Sequence, residues 1–485
     1  MIRTHSRVSV RALLLFFAFL AIALLSEARS RASQARPRAK LTEAKTSLEL
    51  RRRMAERLPR STVRRPSDLV VVNAEGLPLL GAWSEGEAQG PPLEHVRVMS
   101  FFPKHDWEVI PFQIDERDAS GRWIAPGTRE PALGAGILST HDQIIFRARD
   151  LGVRAARPAW PEGVKKGIEV AVRDATGGGR GWSYVFVFDA PPPLPRFDEV
   201  RDVPAAGGEG EAVVTPYYRV RFAPVGGGAF MTELAIDGRG LGRLGPNLLD
   251  RMKSRTEGSH RLLPRAFRRS ESNFSATPDL VIDGPLRVIR RTRVRVPIPF
   301  WPDATMDQSV QFLPDRIVLE GPDRLPQRVL QFAWNLRLRL SWDFTAPPGA
   351  KVHAAPVPSG VLVDGYTDPV ETALDGAPSF WWALSLPKDG ALVGVFENAD
   401  LSGGAPTLPV IFYRDGPAPD PPESEAGSAP GVGWNFDHPG ADDPAITPNR
   451  IHLFVLDTFR PGAETGPLDT ATRPLQVLTG RGLRE

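Results

Sequence analysis

Along most of this chain, apolar and polar side chains take turns. Between Arg328 and Trp342, the residues Leu330, Phe332, Trp334, Leu336, Leu338, Leu340 and Trp342 fall on one side, while Gln331, Asn335, Arg337, Arg339 and Ser341 fall on the other. A period of two predicts a strand with one buried face, because successive side chains leave a pleated backbone in opposite directions. Leu286, Val288, Val294 and Val296 interleave with Arg287, Arg291, Arg293 and Arg295 in the same manner. Shorter alternating runs occupy 168–173, 182–188, 217–222, 391–396, 408–413 and 451–456. Glycines (45) and prolines (49) chop the chain between these runs, as in sandwiches and barrels. Pro246 to Lys253 reads instead as a short helix with proline in its opening turn. The expected fold class is therefore all-β, with one or two short helices.

One hydrophobic core rarely serves more than ~250–300 residues, so a body of this length calls for two β-sandwich-type domains. A breaker-rich stretch, including Ala190-Pro191-Pro192-Pro193 and residues 205–210, suggests the division: one domain at 67–200 and a larger one at 211–485. Residues 415–448, dense in Pro, Gly and Asp, read as a long polar loop of the second domain.

The first residues follow a different pattern. Arg3, Arg7 and Arg11 precede an uncharged run from Ala12 to Leu25, too short for the about 20 apolar residues of a membrane span. Ser26-Glu27-Ala28 then offers small residues at the positions a signal peptidase reads, so 1–28 is expected to be a signal peptide. An uncleaved anchor is the alternative. The expected destination is the periplasm, the cell surface or the extracellular space. No later stretch is long and apolar enough to span a bilayer. The absence of cysteine excludes disulfides, thiolate metal sites and a lipid-modified cysteine.

Charge divides the chain at the same place. The first 66 residues hold 16 basic and 4 acidic groups; the remainder holds 44 and 53, a net of −9. An acidic body argues against nucleic acid as a partner. Leu41, Ala44, Leu48, Met54 and Leu58 recur at helical spacing within the basic linker 29–66. This amphipathic helix is either a solvated spacer or a contact for anionic lipid or wall polymer.

Candidate chemistry is thin. Gly240-Leu241-Gly242-Arg243-Leu244-Gly245 has the spacing of a dinucleotide fingerprint but lacks its βαβ setting, so it reads as a glycine-rich turn. His105, Asp115, Glu116 and His141 lie in or near PFQIDERD and HDQIIFRARD, where carboxylates and imidazoles at strand ends suit acid–base work. Ion-paired strand ends are the plainer account. Trp301, Trp381, Trp382 and Trp434 offer indoles for stacking on sugars, with Asp364 and Asp368 as hydroxyl acceptors, or else they are core residues. Asp437, Asp442 and Asp443 are oxygen ligands for calcium, or turn formers. No other cofactor is expected. The arginine faces at 287–295 and 337–339 suit internal ion pairing in an acidic body, or an anionic polymer.

PFQIDERD, DQIIFRARDLG, Asp250-Arg251 and Asp283-Gly284-Pro285-Leu286-Arg287 together resemble a loose group of uncharacterised secreted prokaryotic all-β proteins, over residues 67 to roughly 400. The Asp-Gly-Pro-Leu-Arg segment is also similar to supersandwich domains of the galactose mutarotase class, which implies sugar binding or processing. Two functions follow as expectations. One is an envelope or extracellular protein binding a glycan or a protein partner. The other is a mutarotase-like or lyase-like carbohydrate enzyme, which requires at least two of the acid–base candidates to converge in one pocket.

Overall fold

The computed structural model describes residues 61–77, 90–103, 106–125, 136–155, 160–204, 210–222, 230–260, 266–297, 303–321, 333–398, 409–416, 420, 430–438 and 449–480. The expected signal peptide and most of the basic linker lie outside the described residues. Contacts divide the chain into Met1–Pro59 with Arg196–Asp198, and a second unit of Arg60–Pro195 with Glu199–Glu485 that carries all the sheets.

Among the described residues, strands numbered in chain order form five sheets in which every adjacent pair is antiparallel. The first orders β1 (Leu69–Asn73), β5 (Gln143–Arg147) and β4 (Phe112–Asp115). A five-stranded sheet orders β26 (Gln476–Thr479), β6 (Val164–Arg173), β7 (Arg180–Phe188), β2 (Val96–Phe102) and β3 (Asp106–Val109). A four-stranded sheet orders β11 (Met231–Ile236), β10 (Tyr218–Phe222), β9 (Ala212–Val214) and β8 (Arg201–Val203).

The nine-stranded sheet begins with β14 (Ser275–Asp283), β15 (Val288–Val296), β16 (Ala304–Phe312), β17 (Arg316–Glu320) and β25 (Asn449–Leu456). It continues through β22 (Ala391–Asn398), β21 (Trp381–Ser385), β19 (Lys351–Ala354) and β20 (Val357–Leu362). A further five-stranded sheet orders β13 (Ala266–Arg269), β12 (Leu249–His260), β18 (Ala333–Phe344), β24 (Gly431–His438) and β23 (Val410–Arg414). Two short helices accompany them, α1 (Pro369–Leu374) and α2 (Thr465–Thr472). The all-β expectation holds.

The period-two pattern explains the layering. Val288, Val310, Phe312, Ile317, Leu319, Leu384, Leu392 and Leu453 leave the nine-stranded sheet on one side. They pack on Met252, Trp342, Phe344, Ile411, Val432 and Trp434 from the sheet holding β12 and β18. Burial of these side chains contributes about 1.5–3 kcal/mol each before conformational entropy is set against it. A second core collects Val70, Val98, Ile144, Phe146, Val170 and Val185 around the first sheet. The two cores part between Val185 and Val200 in sequence, but β26 crosses that line: it pairs with β6, and neighbouring Leu475 joins the second core.

Two local expectations are corrected. Pro246–Lys253 is not a helix: Leu249 onward is strand β12, held along its length by β18 from Leu249↔Phe344 to His260↔Ala333. A partner nearly a hundred residues away overrides local helix propensity there. Nor is 415–448 a single loop. It contains β24, an interior strand between β18 and β23. The glycine-rich segment ahead of β12 is a turn, as expected. It wraps the Asp237 carboxylate, which accepts from the backbone N–H of Leu241 (3.0 Å) and Arg243 (2.8 Å), with Gly240 and Gly242 at φ +64° and +74°.

Candidate functional site

β4 is short and divides its side chains sharply. Phe112 and Ile114 pack on the second core, while Gln113 and Asp115 turn the other way and are buried. There they meet Asp283–Arg287, the turn leading into β15. The Gln113 Oε1 accepts from the backbone N–H of Leu286 (3.1 Å) and Arg287 (3.0 Å), and its Nε2 donates to the Arg287 carbonyl (3.2 Å) and to Asp115 Oδ1 (2.6 Å). One amide thus imitates a strand partner. Gly284 makes this approach possible: a Cβ there would stand 2.1 Å from the Gln113 carboxamide carbon.

Arg287 is the hub. Its Nε donates to Asp115 Oδ2 (2.8 Å), its Nη2 lies 2.7 Å from the same oxygen and donates to Gln143 Oε1 (2.9 Å), and its Nη1 donates to Gln311 Oε1 (2.9 Å). Arg117 also donates to Gln143 Oε1 (3.3 Å), and its guanidinium carbon lies over Trp123, 3.6 Å from the ring centroid. Burial and the neighbouring Arg287 charge lower the Arg117 pKa.

From Arg287 a polar row crosses the face of the nine-stranded sheet opposite the large core. Gln311 on β16 donates to Glu320 on β17 (2.9 Å), which accepts from Arg450 on β25 (3.0 Å). Arg450 lies 3.6 Å from Glu397 on β22, and Glu397 bonds His452 Nε2 (2.8 Å). Cross-strand register makes the row, with Glu320 and Glu397 each opposite Arg450. Arg287 is buried, whereas the Arg450 side chain is 50 % exposed, so solvent reaches the row at that end. Burial pushes the His452 pKa down, which keeps the imidazole neutral, and its Nδ1 has no hydrogen-bond partner among the described residues.

Among the described residues, Asp115, Glu116 and His141 take up separate hydrogen-bonding roles. Asp115 is committed to Arg287 and Gln113. Glu116, the next residue, accepts from the Gly136 N–H (2.5 Å), and burial raises its pKa. His141 is exposed on the turn after Ser139, while the adjacent Asp142 is buried and holds the Arg117 N–H (2.9 Å) and Ser139 N–H (2.7 Å). His105 lies outside the described residues.

Trp381, Trp382 and Trp434, three of the tryptophans read as sugar platforms, are core residues. Trp382 and Trp434 are fully buried and, with Trp342, form a cluster with ring centroids 5.8–6.5 Å apart. The Trp434 Nε1 donates to the Ser379 carbonyl (2.9 Å). Trp381 points to the other face of β21 and is 6 % exposed, against Phe459. Trp342, Trp382 and Trp434 fill the large core between the two sheets, and Trp381 packs in a smaller apolar cluster with Ala383, Val393 and Phe454. Trp301 lies outside the described residues.

Asp368 is the N-cap of α1, accepting from the Glu371 N–H (2.8 Å). Asp364 is exposed and accepts from the Tyr366 N–H (3.0 Å). The backbone of Asp437 belongs to β24, but its side chain, with Asp442 and Asp443, lies outside the described residues. Among the described residues no group of His, Asp or Glu is arranged to hold a metal ion. The arginine face of β15 is paired internally: Arg291 with Asp279 (3.1 Å), Arg293 with Asp307 (3.2 Å) and Arg295 with Asp303.

No protein-family model and no curated protein matches this chain. Among solved structures, it is similar to an α-mannosidase from Enterococcus faecalis V583, at 9% identity and a TM-score of 0.44, over 87% of this chain and 45% of that one. A second likeness is to the α-N-acetylgalactosaminidase NagBb from Bifidobacterium bifidum in complex with GalNAc. There the identity is 14% and the TM-score 0.32, over 51% of this chain and 36% of that one. The chain thus spans less than half the length of either enzyme.

The sequence reading missed Arg117, Gln143, Gln311, Glu320, Glu397, Arg450 and His452. A signal existed for some of them. Arg450 and His452 alternate with Ile451 and Leu453 in β25, so the sequence alone places these two polar residues on one face of the strand. What the row can do is donate and accept through planar amides, carboxylates and guanidinium groups. Gln311, Glu320, Arg450 and Glu397 leave the backbone on the adjacent strands β16, β17, β25 and β22, ~4.8 Å apart, while Gln143 and Arg117 come from the first sheet and the segment after β4.

Proposed function

We propose that this chain is an exported protein of the cell envelope or exterior that binds a glycan along the row Gln143, Arg117, Gln311, Glu320, Arg450 and Glu397. The observation that carries the reading is the row itself: paired donors and acceptors on rigid strands, reached by solvent at Arg450. Vicinal hydroxyls both donate and accept, and such side chains meet them with little loss of rotamer freedom when strands already hold them. The stacking of Arg117 on Trp123 fixes one end of the row. A second reading, a carbohydrate-active enzyme, rests on the Glu397–His452 pair, in which a neutral imidazole faces a carboxylate at 2.8 Å.

A glycan array probed with the full-length chain tests the first reading. Binding to a defined sugar class that Gln311→Ala or Arg450→Ala weakens supports it. Equal binding by wild type and both variants removes the row from the account, and product formation from the bound sugar that His452→Gln abolishes favours the enzyme.

A further inference from the structure

A second polar site lies on the same sheet, away from the row. His353 on β19 and Ser385 on β21 leave their strands on the side opposite Val352 and Leu384, which go into the large core. The Ser385 Oγ is 2.8 Å from His353 Nε2, and His353 Nδ1 is 3.1 Å from the Pro358 carbonyl oxygen. A carbonyl can only accept. Nδ1 therefore carries the hydrogen, and the Nε2 lone pair is left as the nearer acceptor for the serine hydroxyl, with the Lys351 carbonyl oxygen at 3.3 Å as the more distant one. The ring can occupy this seat because position 360 is glycine at φ +81°: a Cβ there would lie 2.5 Å from the imidazole. Phe459 covers the ring at 4.7 Å, His353 is 5 % exposed, and Ser385 is only half-buried, so the hydroxyl is the part that solvent reaches.

We propose that Ser385 is a nucleophile, with His353 as its general base, acting on carboxylic esters. Nucleophile, base and an orienting acceptor in series is the arrangement that activates a serine, here with a backbone carbonyl in the third position. Ser385 Oγ bonds to the ester carbonyl carbon as its proton passes to Nε2. The bond from that carbon to the alcohol oxygen then breaks, and the alcohol leaves with the proton from Nε2. Water attacks the acyl-serine by the same route and releases the acid. Lys351, directly across from Ser385 in the register, brings positive charge to the neighbourhood of the developing oxyanion. Burial outweighs the bond to the Pro358 carbonyl, and the opposed charges of Lys351 and Glu464 have smaller effects, so His353 lies below the usual histidine pKa and is in its basic form at neutral pH. The inference is independent of the glycan row.

The test is labelling of the full-length chain by a fluorophosphonate probe, with peptide mapping, beside hydrolysis of p-nitrophenyl acetate. Wild type is expected to carry the label on Ser385 and Ser385→Ala to carry none. His353→Gln should be slower by about 10²-fold or more. The wild-type labelling rate should rise with pH through a midpoint below that of a free histidine, a readout that does not depend on any variant folding. Folded wild type that takes no label at Ser385 overturns the proposal, as does labelling that is equal in His353→Gln or independent of pH between 5 and 8.

Discussion

Asp115 and Arg287 lie 172 residues apart in the chain and share a salt bridge of 2.7 Å in the fold. Both are buried, and the bond ties the first sheet to the start of β15. A buried pair of this kind need not add stability over apolar replacements, but breaking one side of it strands a charge. Asp115→Ala is therefore expected to cost about 3–5 kcal/mol in urea unfolding. The double variant Asp115→Ala with Arg287→Met should recover a substantial part of that loss. Equal cost in the single and double variants would show that the pair does not act as a unit.

Gly284→Ala tests the close approach of the two segments. The new methyl must displace the Gln113 carboxamide, which holds three bonds to the turn. A loss of about 1–3 kcal/mol is expected by chemical denaturation. An unchanged midpoint would mean that the turn moves freely away from β4.

Trp434→Ala and Gln311→Ala should separate folding from binding. The first removes a fully buried ring from the tryptophan cluster and is expected to cost about 3–5 kcal/mol. The second takes an acceptor from the buried Arg287, so it should lower Tm by less than the first while weakening glycan binding roughly fivefold, the equivalent of one hydrogen bond of ~1 kcal/mol. The reverse outcome, with intact binding in Gln311→Ala and a lost sugar site in folded Trp434→Ala, would move the site to the core tryptophans.

Acid should destabilise the protein partly through two histidines. Burial holds His452 and His353 below the ordinary value of 6.5. Between the lowered folded value and the unfolded one, the unfolded chain binds more protons, so stability rises with pH in that window. The histidine contribution is complete above about pH 7.5 and is lost progressively as pH falls below 6.5. Thermal melts of His452→Gln against wild type from pH 8 to 5 check this, with a shallower acid slope expected in the variant.

The architecture was legible where one face of a strand is buried. Leu338, Leu340 and Trp342 alternate with Arg337, Arg339 and Ser341, and β18 follows from that pattern alone. Pro246 to Lys253 misled because apolar residues at 248, 249 and 252 also fit a helical turn. Only the pairing with β18 makes them a bulged strand. Trp434 misled for the opposite reason: proline and glycine around it suggest a loop, yet β18 and β23 lend their hydrogen bonds to β24 from both sides. The site was half legible. PFQID and DGPLR each stand out, but that Gln113 and Asp115 seat themselves on Arg287 depends on a juxtaposition no local pattern records. Gln311 and Glu320 carry no signal of their own, since a lone polar residue on a strand normally faces solvent.

The return of β26 to the edge of β6 has a consequence for the order of events when the chain is made. Until Gln476–Thr479 arrives, β6 keeps an open edge, and the second core lacks Leu475. An unpaired edge is a template for pairing with another chain. The sheet that holds β2, β3, β6 and β7 is thus completed only by residues that follow all of its other strands and most of the larger core in the chain. A chain halted before residue 476 is expected to be held by chaperones or to self-associate, even though almost every strand of both cores is already present.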